Sequence, residues 1–82
     1  MALKKVPRTT LTGIVIPVDW SEDQDVIAVA LAMADETECR IGANRKGREL
    51  LGCLQRQAEV TGTLGRDEKG RAIITVSHYV IK

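Results

Sequence analysis

The densest grouping of side chains able to bind an anion is RIGANRKGR, residues 40–48, where Arg40, Arg45, Lys46 and Arg48 gather at the start of an expected helix. The first N–H groups of a helix have no intrahelical acceptor and carry partial positive charge, so a phosphate placed there meets both the dipole and the cations. Those cations oppose the same dipole when nothing is bound. They therefore need compensation, either from a ligand or from Asp35, Glu36, Glu38 and Glu49. A basic run is also an ordinary solvated face. A second, mixed group is GRDEKGR, residues 65–71, in which Arg66, Lys69 and Arg71 stand against Asp67 and Glu68. Trp20 is the one aromatic placed to stack a base, a contact worth about 1–3 kcal/mol.

Other chemistries find fewer parts. His78 is the sole histidine, in a strand-like run with no serine or cysteine motif, and VSH lacks the glycine frame of a nucleophile elbow. No catalytic residue is assigned, and the chain is not expected to be an enzyme. Asp19, Glu22, Asp23 and Asp25 are closely spaced in DWSEDQD but lack the central Gly and terminal Glu of an EF-hand loop, so they read as a solvated turn. Cys39 and Cys53 form no CxxC pair and, with His78, offer at most three soft ligands. No metal or cofactor is expected. Both cysteines read as buried thiols in a reducing, cytoplasmic setting, since Cys packs as a small hydrophobe.

Twelve Lys and Arg against eleven Asp and Glu give a net charge of +1, so no global field recruits nucleic acid or an anionic membrane, and any charged site is local. Hydrophobic residues make up 44% of the 82 and charged ones 28%, which is a globular balance for one small domain. With no Phe, one Trp and one Tyr, the core must come from Val, Ile, Leu, Ala and Met. The longest apolar run, 26–34, is too short to span a membrane, and MALKKVPRTTLTG has no apolar stretch behind its lysines.

These side chains need a scaffold, and the patterning supplies one. Residues 1–9 carry Lys4, Lys5 and Arg8 without periodicity and are expected to form a flexible basic arm before a domain over 10–82. TLTGIVIPV, 10–18, is β-branched and reads as a strand, with a bulge or bend at Gly13 and a departure from the sheet at Pro17. In 26–34, Ile27, Val29, Leu31 and Met33 alternate with Ala28, Ala30, Ala32 and Ala34, giving a strand with a bulky inner face and a small, smooth outer one. A turn at DET returns it through ECRIGA, with Cys39 and Ile41 on one side and Glu38 and Arg40 on the other.

Asn44 is a good N-cap, and Leu50, Leu51, Cys53 and Leu54 recur at helical spacing, which predicts a helix over 45–57. Gly47 and Gly52 should weaken it by about 1 kcal/mol each. Strands are expected over 59–64 and 72–81, joined by the charged turn. In the first, Val60, Gly62 and Leu64 take the core side. In the second, Ile74, Val76, His78 and Val80 share one face, while Ile73, Thr75, Ser77, Tyr79 and Ile81 share the other.

NRKGRELLGCL, AEVTGTL, the turn ending in Gly70, and AIITVSHYVI together resemble the C-terminal half of small bacterial OB-fold domains, and the element pattern covers about residues 10–82. The resemblance implies a mainly β, five-stranded Greek-key barrel in β-β-β-α-β-β order, with one helix between the third and fourth strands plugging its open end. An SH3-like barrel is the rival, and that helix speaks against it. OB-fold ligands lie across the second and third strands, framed by the loops that are here DWSEDQD, GANRKGR and GRDEKGR. The resemblance therefore implies a non-enzymatic module for single-stranded nucleic acid, with Arg40, Arg45, Lys46, Arg48, Arg66, Lys69 and Arg71 toward phosphates and Trp20 toward a base. Near neutrality and the lack of aromatics favour the alternative, a protein-interaction or assembly module that uses the Ala-rich face or a free strand edge.

Overall fold

In the computed structural model, which describes residues 8–82, the longest strand closes the sheet on itself. β1 (Arg8–Trp20) pairs antiparallel with β4 (Gln57–Arg66) from Arg8 to Ile14, and then with β2 (Val26–Ala32) from Ile14 to Trp20. The handover falls at Gly13 and Ile14, where the sequence predicts a bend. β3 (Glu38–Ile41) runs antiparallel beside β2 and parallel beside β5 (Ala72–Ile81), which in turn pairs antiparallel with β4. The circular order β1-β2-β3-β5-β4 is a closed five-stranded barrel with one short helix between β3 and β4. It matches the expected element order and is consistent with an OB-like fold. Closure lets a small chain without disulfides bury one face of every strand. Val15, Leu31, Cys39, Leu50, Val60 and Ile74 are fully buried at its centre.

Several expectations change in detail. Arg8 and Thr9 belong to β1, with Arg8 opposite Thr63, so Arg8 is part of the sheet rather than of an arm. Lys4, Lys5 and the rest of the expected arm lie outside the described residues. Pro17 stays in the sheet opposite Val29, and the register slips just after it: Asp19 faces Ala28 while Trp20 faces Val26. Val18 and Ile27 are thereby each left without an opposite number. A bulge of this kind re-aims a side chain, and Ile27, expected inside, is 55% exposed. The Ala face is not an open, smooth surface either. Ala30 is fully buried, lying between Ile16 of β1 and Arg40 of β3 in the register, with Ala28 and Ala32 half-buried.

A second bulge corrects the faces of β5. Thr61 pairs with His78 but Gly62 pairs with Val76, so Ser77 is the extra residue. A Cβ at Gly62 would fall onto the Thr75 carbonyl oxygen, so only glycine permits this approach. Beyond the bulge the alternation inverts: Ile74 and Val76 point inward, but so do Tyr79 and Ile81, while His78 is exposed and Val80 is 48% exposed. On β4, Ala58 and Val60 are buried, whereas Leu64, expected in the core, is exposed.

The helix is far shorter than its spacing predicts. α1 (Arg45–Glu49) passes into a single 3-10 turn, Leu50–Gly52, and Gln55 has a positive φ of 66°. The chain must double back here, because Gln55 N–H donates to the Val15 carbonyl and Val15 N–H to the Arg56 carbonyl, 2.8 and 3.0 Å. Continuing the helix to Gln57 at about 1.5 Å per residue would carry it past the entry to β4. Leu50 still plugs the barrel, with Leu51, Cys53 and Leu54 packed partly against it.

A candidate groove beside β2

The pairing of β2 with β3 covers only Ala30, Leu31 and Ala32. Toward Val26 the strands part, and among the described residues no strand fills the gap. β3 instead follows β5, with Gly42 N–H donating to the Ile74 carbonyl at 2.8 Å. The result is a groove of about 360 Å³ between β2, residues 41–43 and α1. Its walls are apolar: Val26, Ile27, Ala28 and Val29 on one side, Ile41, Ala43 and Leu51 on the other. Arg48 is the one charged residue in the lining.

The helix wall is fixed locally. Asn44 caps α1 by accepting from Gly47 N–H at 3.0 Å, and its amide donates to the Val76 carbonyl at 2.9 Å, so the cap also ties the helix to β5. Arg48 N–H donates to the Asn44 carbonyl. With a single turn, and with the Gly47 N–H already taken by the Asn44 side chain, the helix start offers an anion less than the sequence suggests. Tyr79 Oη donates to Glu49 Oε1 at 2.7 Å from the β5 side. That bond stabilises the neutral phenol beside a carboxylate and holds the Tyr79 pKa above its ordinary value, with desolvation and the Glu49 charge adding to the effect. Tyr79 is the chain's single tyrosine, so phenolate absorbance reports on it alone. Glu49→Gln is expected to bring that titration down toward its ordinary range, and an unchanged curve would mean the bond is not made in solution.

The side chains singled out in the sequence do not converge. Arg45 and Arg48 share a shallow hollow with Ala43 and Glu49, adjoining the groove. Lys46 is exposed on the same turn, outside both linings. Arg40 is half-buried on β3 between Ala30 and Ile73, also outside both. Trp20 is half-exposed opposite Val26, one strand away from the groove wall. In the β4–β5 turn, Arg66 donates to the Gly70 carbonyl and Arg71 pairs with Asp67 at 2.8 Å. Asp67 also accepts from Arg71 N–H and Lys69 N–H. The Arg71 N–H foremost, then the other donors, hold the Asp67 carboxyl below its usual pKa. Lys69 is exposed on that turn.

The remaining candidates are dispersed. Glu22, Asp23 and Asp25 are exposed on the tight β1–β2 turn, which Ser21 and Asp25 close through main-chain bonds. Among the described residues, no group of three or more His, Cys, Asp or Glu is arranged to hold a metal ion, and no helix is long and apolar enough to cross a membrane. Cys39 is buried, which raises its thiol pKa, and Cys53 is half-buried. Sequence reasoning missed Ile27 as a surface feature, since its alternation marks it as core, and missed that half-buried Leu51 also lines a groove; nothing in the composition signals where two strands will part. Compared with known proteins, the chain matches no family model, no curated protein and no solved structure.

Proposed function

We propose that this chain is a non-enzymatic OB-fold binding module that docks a partner polypeptide in the groove between β2 and α1. The observation that carries the reading is Ile27, a large aliphatic side chain turned out by a bulge over an aliphatic groove, and 55% exposed there. Contiguous apolar surface of this kind marks interaction sites, whereas isolated exposed hydrophobes need no explanation. The volume suits one or two apolar side chains of a partner. The walls carry no aromatic platform, so stacked bases would gain little there.

Single-stranded nucleic acid is the second reading. It is supported by the exposed indole of Trp20 and by Arg45, Lys46 and Arg48, which take part in neither ion pair of the described residues. Arg66 and Arg71, already engaged within their own turn, add little to it.

A library of random short peptides displayed on phage and selected on the protein tests the first reading. Recovered peptides should lose about ten-fold or more in affinity on Ile27→Asp, as expected for a central apolar anchor site. Circular dichroism serves to confirm that the variant is folded. A library that yields no binder, or binders indifferent to Ile27→Asp, contradicts docking in this groove. Oligothymidylate binding at low salt that falls steeply as salt rises would favour the second reading.

A further inference from the structure

The charges around the groove restrict what a partner must carry. On the helix side, Arg48 lines the groove and Arg45 the adjoining hollow. Both are exposed, and neither takes part in the ion pairs of the described residues. The one carboxylate lining the hollow, Glu49, accepts the Tyr79 hydroxyl. At the Val26 end of the groove, the chain entering β2 is the acidic turn, with Glu22, Asp23 and Asp25 exposed and outside the lining. The groove is therefore aliphatic along its length, cationic at the α1 wall and anionic just past its Val26 end.

We infer that the partner segment places a large apolar side chain between Ile27 and Leu51 and an adjacent carboxylate on Arg48 and Arg45, with no acid on the side facing the β1–β2 turn. This rests on the docking reading and adds the partner's chemistry. Arg offers a planar, multidentate fork to a carboxylate at a water-exposed rim, and the aliphatic floor excludes water from one side of that contact. The acidic turn makes the arrangement directional, since a like charge placed against it is repelled. This also separates a peptide from a nucleic acid. A peptide can confine its negative charge to one end, whereas a polynucleotide carries charge on every phosphate and cannot keep it all from Asp23 and Asp25.

The test uses peptides recovered from the same display selection, synthesised with a fluorophore and titrated by anisotropy. The selected sequences should be enriched in Asp or Glu next to a Leu, Ile, Val or Met, on one side only. Changing that acid to its amide should weaken binding about three-fold, and Arg48→Glu should weaken the acidic peptide about ten-fold, since attraction becomes repulsion. Arg48→Glu should at the same time strengthen a version of the peptide with Lys in place of the acid, while Arg48→Lys keeps most of the wild-type affinity. Arg48 is exposed, so these variants keep the fold. Peptides that depend on Ile27 but show no acid preference and no response to Arg48→Glu would overturn the inference and leave the docking reading standing. Peptides indifferent to Ile27→Asp would remove both. Displacement of the peptide by oligothymidylate at low salt would assign the groove to nucleic acid and overturn the inference.

Discussion

Gly47→Ala is expected to destabilise the protein by about 2–3 kcal/mol, as overpacking against a fixed neighbour does. Helix propensity alone predicts the opposite sign, because Ala is favoured over Gly inside a helix by about 1 kcal/mol. The structure decides between them. A Cβ at Gly47 would fall onto the carbonyl oxygen of Gly42 and within 3.0 Å of the Asn44 Oδ1 that caps the same residue. Gly42 is held in turn by its bond to Ile74, so the obstacle is anchored backbone rather than a side chain that can swing away. Relief requires α1 to lift from Gly42, which strains the Asn44 cap and uncovers Leu50, a fully buried residue. The consequences extend beyond stability. Lifting α1 moves Arg48 and Leu51 away from the groove and separates Glu49 from Tyr79. Gly47→Ala should therefore lower the midpoint in urea, bring the Tyr79 titration down and weaken groove-bound peptides together. A more stable variant would show that the helix does not approach Gly42 this closely.

Leu31→Ala should cost more, about 3–4 kcal/mol, within the range found for buried Leu to Ala changes. Leu31 stands opposite Val15 on one side and Cys39 on the other, and all three are essentially inaccessible. The surrounding strands are hydrogen-bonded around a closed ring and have little freedom to collapse into the space. For a domain with about 5–10 kcal/mol of total stability the loss is a large fraction, and it should lower the melting temperature by about 15–25 °C. Val80→Ala is the matching control. Strict alternation would put Val80 in the core with Ile74 and Val76, but the bulge at Ser77 turns it outward. Its substitution should stay near about 0.5 kcal/mol, as for ordinary surface changes. A cost comparable to that of Leu31→Ala would restore the uninterrupted alternation and remove the bulge.

Leu31 and Val80 also mark what the sequence makes legible. β-Branched content marks the first strand and the closing pair, period-two alternation marks β2 and β3, and β5 begins and ends where expected, because β-branched residues bounded by a glycine turn leave the chain few alternatives. Alternation assumes an unbroken strand, however. The register slips at Ile27 and at Ser77 answer to the closure of the barrel, a constraint set by all five strands at once and written in no single segment. They are what placed Ile27 outside, Tyr79 inside and Val80 in solvent. The helix stops short of its expected length for a related reason: Leu50, Leu51, Cys53 and Leu54 satisfy helical spacing, yet the chain has to bring Gln55 and Arg56 back to Val15. Only tertiary hydrogen bonding reveals that obligation.

The candidate site was legible in part. The sequence groups Arg40, Arg45, Lys46 and Arg48 at the helix start, and of these only Arg45 and Arg48 share one hollow, with Lys46 outside it and Arg40 on β3. The OB resemblance turns Arg66 and Arg71 toward phosphates, while the sequence sets them against Asp67 and Glu68; in the structure the Asp67 carboxylate and the Gly70 carbonyl occupy them within their own turn, a pairing that alternating charges in a loop leave undetermined. The groove itself had no sequence signature. It exists because β3 leaves β2 after Ala30 to follow β5, and that divergence depends on the parallel pairing of Arg40 and Ile41 with Ile73 and Ile74.

Side-chain methyl shifts, followed by NMR while a display-selected peptide is titrated into the protein, test the central claim most directly. The methyl groups of Ile27 and Leu51 should move most, with Val26 and Ile41 next. Those of Ile14, Leu64 and Val80, exposed apolar residues outside the groove lining, should stay in place. Shifts concentrated on Leu64, Val80 or Ile14, with Ile27 and Leu51 unmoved, would contradict docking between β2 and α1.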